Sequence, residues 1–134
     1  RVLLTEDNSI AAAIALDIMG MTGLEVDHAE NGRIAVEKLL DAEPGYYDLV
    51  FMDIQMPVMN GYESASAIRA AAEGKGLDGE AIDARPDLGE IPVVALTADA
   101  FADDVARARA AGMNAHMSKP MEIELLVKTL KEWL

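Results

Sequence analysis

Acidic, hydroxyl and basic side chains stand directly after four separate apolar runs of this sequence. In chain order these side chains are Glu6 and Asp7, Asp53, Thr97, and Lys119. If the four runs are parallel strands of one sheet, their carboxyl ends meet at one edge, which is where open α/β sheets bind ligands. Three carboxylates, one hydroxyl and one ammonium group at that edge form a site suited to a divalent cation and a phosphoryl group.

The elements that position these side chains follow from the hydrophobic period. Short apolar or β-branched runs alternate with segments of helical period, which is typical of βαβ units on a parallel sheet. The predicted strands lie at residues 2–5, 24–29, 48–52, 91–96 and 115–118. The predicted helices lie at residues 8–21, 32–41, 61–72, 102–111 and 122–133, so that five strands and five helices fill residues 1–134 as a single domain.

Helix boundaries and faces are predicted from caps and spacing. Asn8 and Asn31 are the expected N-caps of the first two helices, and Gly112 is expected to end the fourth. One apolar face of the first helix consists of Ile10, Ile14, Ile18 and Met21. The last helix is expected to bury Ile123, Leu126, Val127, Leu130 and Leu134.

The segment at about residues 73–90 is a long connection for this architecture. It contains four glycines, one proline and eight charged residues. This composition favours a mobile, solvated loop, and a partner-docking insertion is the alternative.

The composition limits the classes of function. The net charge of −13 argues against a nucleic-acid surface, and the absence of cysteine excludes disulfides and thiolate metal sites. No apolar stretch approaches the roughly 20 residues of a membrane span, and there is no signal-peptide pattern. We therefore expect a cytoplasmic domain without direct membrane contact. The first residue is not methionine, which favours a domain of a longer protein.

Four motifs together resemble the receiver domain of two-component response regulators. They are Glu6-Asp7, the stretch Met-Asp-Ile-Gln-Met-Pro-Val-Met-Asn-Gly at residues 52–61, Ala-Leu-Thr-Ala at residues 95–98, and Ser-Lys-Pro at residues 118–120. The motifs occur in the family's order and spacing over essentially the full chain. The resemblance implies a flavodoxin-like, doubly wound, five-stranded parallel sheet of order 2-1-3-4-5.

The resemblance also implies an activity for the acidic residues. Asp53 would be the phosphoacceptor, receiving a phosphoryl group from a phosphohistidine on a histidine kinase or a histidine phosphotransfer domain. Glu6, Asp7 and Asp53, with the backbone carbonyl of Gln55, would bind Mg²⁺ or Mn²⁺. The cation would also relieve the repulsion among the three carboxylates.

Further roles follow from the same resemblance. Lys119 would contact a phosphoryl oxygen, and Thr97 would move toward the phosphorylated Asp53 as a switch. The peptide bond before Pro120 would be cis. Gln55 and Asp99 would tune dephosphorylation.

The two histidines have no established place in this pattern. His116 occupies the position where the family usually carries a switching tyrosine or phenylalanine, so aromatic coupling through this position is in question. His28 lies in a predicted strand, far from the motifs in sequence, and is assigned no role.

The partner surface is predicted around the acceptor. The residues expected to dock a phosphodonor are Asn8, Ser9, Ala12, Met56 and Pro57. The sequence at residues 95–101 is most similar to receivers fused to hybrid sensor histidine kinases, whose parent proteins can be membrane-anchored. A stand-alone response regulator is the alternative.

The sequence disfavours three other functions. A magnesium-dependent phosphatase with an aspartyl nucleophile usually needs a second aspartate where this chain has Gln55. A nucleotide- or flavin-binding module would need a glycine-rich loop after the first strand, and residues 5–9 lack one. A degenerate receiver is disfavoured because every active-site residue is in place.

Overall fold

The computed structural model describes residues 1–54, 59–97, 102–118 and 122–134, with the backbone alone at residues 102–105. Five strands and six helices alternate along these ranges. The strands are β1 (Val2–Thr5), β2 (Val26–Ala29), β3 (Leu49–Asp53), β4 (Val93–Thr97) and β5 (Ala115–Ser118). The helices are α1 (Ser9–Gly20), α2 (Gly32–Asp41), α3 (Gly61–Ala72), α4 (Asp87–Glu90), α5 (Ala102–Ala110) and α6 (Ile123–Trp133).

The five strands form one parallel sheet in the order β2-β1-β3-β4-β5, which confirms the predicted topology. The central strands read as continuous apolar runs because helices cover both faces of the sheet. The register aligns Thr5 with Met52 and Asp53 with Leu96, so the polar residues after these strands reach the same edge.

Alternation along each strand divides the core into two clusters. Leu3, Val50 and Val93 pack on the face covered by α2 and α3. On the opposite face Leu4 and Phe51 pack with residues of α1 and α6. Successive strand residues point to opposite faces, so one sheet supplies both clusters.

Helix α1 buries a different face from the one that the sequence suggests. Ile10 and Ile14 are 72% and 53% exposed, and Met21 is also exposed, whereas the buried residues are Ala12, Ala15 and Met19. The apolar face predicted for α1 therefore does not face the core at Ile10, Ile14 and Met21, whereas Ile18 is half-buried and packs against the core. Small alanine side chains let the helix backbone approach the sheet closely, and the larger Ile10 and Ile14 remain outside.

The last two helices agree more closely with their patterns. Leu126 and Leu130 of α6 are buried as expected, but Ile123 and Leu134 are 40% and 56% exposed, which corrects the prediction for these two residues. Gly112 follows α5 with a φ of 99°, a left-handed conformation that favours glycine.

The 73–90 segment is largely exposed, but it also makes contacts with the domain that the sequence did not predict. A short antiparallel bridge joins Lys75 and Ala81, and Leu77 and Ile82 pack against the α2–α3 core cluster. The segment also contains the short helix α4, which is additional to the five predicted helices.

Two arginines fix this segment along α2. Arg33, near the start of α2, forms an ion pair with Asp78 at 2.9 Å, and the hydrogen bond from Arg33 lowers the pKa of the Asp78 carboxyl. Arg85 donates to the carbonyl of Leu40 at 2.9 Å near the end of α2 and pairs with Asp87. The segment is thereby attached at both ends of the helix.

Arg69 joins α3 to the far side of the domain through five hydrogen bonds. Its guanidinium donates to the carbonyls of Leu88, Ile91 and Gly112 and to the side-chain oxygen of Asn114. Burial lowers the pKa of this guanidinium from its usual value. All five of its N–H groups therefore have acceptors, which matches the fixed fork of arginine.

A buried hydroxyl gives a prediction on stability. Thr5 is 0% exposed, and its Oγ1 has no hydrogen-bond partner within the described part of the chain. Leaving such a group unsatisfied costs about 1–3 kcal/mol, so Thr5→Val should raise the free energy of unfolding by about 1 kcal/mol in urea denaturation. Thr22→Val is the control, because the Thr22 hydroxyl donates to the Met19 carbonyl at 2.6 Å. A Thr5→Val variant less stable than the wild type would contradict the assignment.

Candidate functional site

Three carboxylates meet at the carboxyl edge of the sheet. One oxygen from each of Glu6, Asp7 and Asp53 lies within 4.8 Å of the other two. Glu6 and Asp53 are each 3% exposed, and Asp7 is exposed. The structure therefore brings together the acidic residues that the sequence analysis grouped.

The strands explain why these side chains converge. Asp53 is the last residue of β3, and Glu6 follows β1 on the neighbouring strand. The Glu6 N–H donates to the carbonyl of Ala29 at 3.1 Å, which continues the β1–β2 pairing one residue beyond the strand. Every second side chain of a strand points to the same face of the sheet. Glu6 lies two residues after Leu4, and Asp53 lies two residues after Phe51, so both carboxylates point to the α1 side of the sheet.

The backbone after Asp53 is held by a close approach. A Cβ added at Gly61 would collide with the carbonyl oxygen of Asp53, so this position requires glycine. The Gly61 N–H donates to the Ile54 carbonyl at 2.9 Å, and Asn60 and Glu63 form a capping box at the start of α3. Helix α3 thus begins in contact with the backbone of the candidate acceptor.

The first turn of α1 also faces this site. Asn8 caps α1 by accepting hydrogen bonds from the N–H groups of Ile10 and Ala11, and its own N–H donates to Glu6 Oε1 at 3.3 Å. The positive end of the helix dipole lies beside the carboxylates. It offsets part of their mutual repulsion.

His28 is a site neighbour that sequence reasoning missed. Its half-buried ring places Nε2 2.8 Å from the carbonyl oxygen of Glu6. Distance from the motifs in sequence was misleading, because parallel pairing sets Leu4 opposite His28. The available signal in the sequence was the position of His28 near the end of β2, the strand beside β1.

Thr97 lies on the strand next to the candidate acceptor. It is half-buried at the end of β4, one residue beyond Leu96, the partner of Asp53 in the register. His116 is exposed on the edge strand β5, opposite Ala95. The remaining predicted site residues lie outside the described residues; they are Gln55, Met56, Pro57, Asp99, Lys119 and Pro120.

The predicted docking residues on α1 are only partly suitable. Asn8 and Ser9 are exposed, but Ala12 is 3% exposed beneath the helix and cannot line a partner surface. Ile10 and Ile14 carry the exposed side of α1 instead. Among the helices of the described ranges, none is long and apolar enough to cross a membrane.

The donor set fits a hard divalent cation. Carboxylate oxygens are the ligands that Mg²⁺ and Mn²⁺ prefer, and Mg²⁺ typically takes one or two carboxylates while keeping several waters. Three carboxylates at this separation repel one another, and a bound cation would offset that repulsion. Glu6, Asp7 and Asp53 therefore form a candidate metal site with an exposed side at Asp7.

Comparison with curated proteins finds relatives along almost the whole chain. The chain is 34% identical over 98% of its length to Hybrid signal transduction histidine kinase M of Dictyostelium discoideum. It is 40% identical over 94% of its length to Two-component response regulator ORR41 of Oryza sativa subsp. japonica, of which it covers 87%. It spans only 5% of the Dictyostelium kinase and 16% of Histidine kinase 5 of Arabidopsis thaliana.

Solved structures show the same fold. The receiver domain of sensor histidine kinase PA1611 from Pseudomonas aeruginosa PAO1, solved with a magnesium ion in its active-site cleft, superposes with a TM-score of 0.80 at 28% identity, covering 98% of this chain and 94% of that one. The receiver domain of the Saccharomyces cerevisiae response regulator Ssk1, solved with the histidine phosphotransfer protein Ypd1, gives a TM-score of 0.80 at 33% identity and covers 98% and 86%.

A protein-family model also matches nearly the whole chain. The model of the response regulator receiver domain matches residues 2–131, which includes all five strands and the three clustered carboxylates. With the sheet order and the full-length relatives, this match confirms the resemblance drawn from the motifs. The chain belongs to the response regulator receiver domain family and is a receiver domain of two-component phosphorelay signalling, homologous to those of hybrid histidine kinases.

Proposed function

We propose that Asp53 is the phosphoacceptor of this receiver domain and takes its phosphoryl group from a phosphohistidine on a partner protein. The observation that supports this assignment is the cluster of Asp53 with Glu6 and Asp7 within 4.8 Å. Asp53 ends the central strand β3, which lies between β1, followed by Glu6 and Asp7, and β4, which ends at Thr97. It is therefore the carboxylate that lies within reach of both the acidic pair and the Thr97 hydroxyl.

The chemistry needs little beyond position and charge. A carboxylate oxygen of Asp53 forms a bond to phosphorus while the bond to the partner's imidazole nitrogen breaks, and the imidazole ends neutral. The transition state is loose and spreads charge over the phosphoryl oxygens. Fixed donors and cations around Asp53 therefore supply most of the catalysis.

We propose Mg²⁺ or Mn²⁺ as the cofactor. Asp7 and Asp53 would bind the ion directly and Glu6 directly or through water, with the Gln55 carbonyl as a further ligand. When bound, the ion neutralises charge on the carboxylates and on the phosphoryl oxygens. The magnesium-bound receiver of PA1611 supports this assignment.

The switch residues remain proposals of the same kind. Thr97 would donate its hydroxyl to the new phosphoryl group, and Lys119 would pair with one of its oxygens. His116, which is exposed, occupies the position of the usual aromatic switch. By the family pattern Gln55 and Asp99 would tune the lifetime of the phosphoryl group, and the peptide bond before Pro120 would be cis. The domain itself turns over no external substrate and remains an autophosphorylating acceptor.

We further propose that the domain belongs to a hybrid sensor histidine kinase in the cytoplasm. Similarity over 98% and 100% of this chain to two hybrid kinases, of which it spans only 5% and 7%, supports this context. The alternative of a stand-alone regulator is favoured by the match to ORR41, which has nearly the same length. A histidine kinase or a histidine phosphotransfer domain is the partner in either case, and nucleic acid is not.

The acceptor assignment predicts a specific covalent product. Incubation with acetyl phosphate and Mg²⁺ should add the mass of one phosphoryl group to the wild type, and Asp53→Asn should abolish this adduct, because an amide oxygen is too weak a nucleophile. Intact-mass spectrometry measures the product. An adduct on Asp53→Asn would identify another acceptor, and no adduct on the wild type with Mg²⁺ would indicate a degenerate receiver.

The metal assignment predicts a charge-specific loss of affinity. Asp7→Asn should weaken Mg²⁺ binding about tenfold or more in isothermal titration calorimetry, because one anionic ligand becomes neutral. Asp17→Asn removes the same charge from an exposed position of α1 and is the control. Equal losses in both variants would show that net charge, rather than coordination, governs binding.

The exposed face of α1 predicts where the phosphodonor docks. The Ssk1 receiver was solved with a histidine phosphotransfer protein, and we propose that Ile10 and Ile14 pack against a phosphotransfer protein of this kind. Ile14→Arg should slow transfer from phosphorylated yeast Ypd1 about tenfold or more, because it buries a charge in an apolar contact.

Two measurements limit this last prediction. Phosphorylation by acetyl phosphate should be unchanged in Ile14→Arg, since a small donor does not need α1. Met21→Arg alters an exposed residue at the other end of α1 and should transfer at the wild-type rate. Equal rates for Ile14→Arg and wild type would place the docking surface elsewhere.

A further inference from the structure

His28 holds the backbone that carries two of the three clustered carboxylates. Its Nε2 lies 2.8 Å from the carbonyl oxygen of Glu6. A carbonyl oxygen can only accept, so the Nε2–H of His28 donates this hydrogen bond.

The Glu6 backbone is held at both of its polar groups. Its N–H donates to the Ala29 carbonyl at 3.1 Å, and its carbonyl accepts from His28 at 2.8 Å, so both contacts come from β2. The Glu6 carboxylate in turn accepts the N–H of Asn8 at 3.3 Å. Strand β2 thus orients the residue that precedes Asp7.

The rigid peptide group transmits this constraint to Asp7. The carbonyl of Glu6 and the N–H and Cα of Asp7 belong to one planar unit, so fixing the carbonyl fixes the position of the Asp7 Cα in that plane and the direction of its N–Cα bond. Asp7 is exposed, unlike Glu6 and Asp53, and has the least packing to hold it. Its orientation therefore depends on its backbone more than theirs do.

We propose that His28 is a positioning residue for the candidate metal site: it orients the Glu6–Asp7 peptide so that the Asp7 carboxylate lies ready to bind the cation. Groups that orient metal ligands without touching the ion can change metal affinity about 10–100-fold. This inference rests on the magnesium site of the proposed function, and its tests separate the two.

The first test compares substitutions that keep or remove the donor. His28→Gln places an amide N–H near the position of Nε2, whereas His28→Leu keeps the bulk and removes the donor. We expect His28→Leu to weaken Mg²⁺ binding about tenfold in calorimetry and His28→Gln to remain close to wild type. The rate of phosphorylation by acetyl phosphate should reach the wild-type value at saturating Mg²⁺, with only the half-saturating concentration raised.

A second variant separates positioning from loss of stability. Val26→Ala removes part of a packed side chain from the same strand and leaves the hydrogen bond of His28 intact. It should lower the free energy of unfolding in urea by about 1 kcal/mol or more and leave Mg²⁺ affinity unchanged. If His28→Leu and Val26→Ala lose affinity in proportion to stability, or if His28→Gln binds as weakly as His28→Leu, the positioning role is refuted.

A measurement without metal tests the inference even if the magnesium site fails. NMR order parameters of the Asp7 and Asn8 amides should fall in His28→Leu and be retained in His28→Gln, because only the former frees the peptide plane. Unchanged order in His28→Leu would overturn the proposal. If the wild type binds no Mg²⁺ and His28→Leu still shows this loss of order, the metal site is refuted and the orienting role of His28 stands.

Discussion

Mutual repulsion among three carboxylates is the constraint that the rest of this structure has to satisfy. Glu6, Asp7 and Asp53 lie within 4.8 Å of one another, and two of them are almost fully buried above an apolar sheet. That sheet offers no compensating charge, so compensation must come from the carboxyl edge itself. The N-terminus of α1 supplies a partial positive charge there, and the proposed divalent cation would complete the balance.

A site under this repulsion needs a rigid support, and the structure provides it mainly through backbone groups. Gly61 lets α3 begin against the carbonyl of Asp53. At the other end of α3, Arg69 donates to carbonyls before β4 and after α5. These contacts are made to main-chain atoms, so they fix the positions of the strands and helices around the site. They involve none of the three carboxylates.

The sequence was sufficient for the sheet and insufficient for details that depend on three-dimensional contact. Apolar runs ending in charged residues predicted the acidic cluster, and the resemblance of the motifs to receiver domains supplied the strand order. The burial of Ile10 and Ile14 was not decided by the sequence, because Ile10 and Ala12 belong to helical stripes of similar apolar character and only approach to the sheet selects the alanines. The contacts of the 73–90 segment were not predicted because its anchors, among them Leu77 and Arg85, are scattered among glycines and acids. His28 was missed because the register of β2 against β1 is not visible in the sequence.

The proposed metal site and the proposed docking surface share one turn of the chain, which would link the two. Asn8 caps α1, and its N–H contacts the Glu6 carboxylate, while Ile10 in the first turn of α1 belongs to the exposed apolar face. A partner that packs on Ile10 therefore acts on the same backbone that orients Asp7, with only Asn8 and Ser9 between them. Binding of either the proposed cation or the proposed partner would order this turn, so the second ligand would then bind to a turn that is already partly ordered. On these proposals the two ligands would bind with positive coupling, through a turn whose two sides are fixed by the hydrogen bonds of His28 and Asn8.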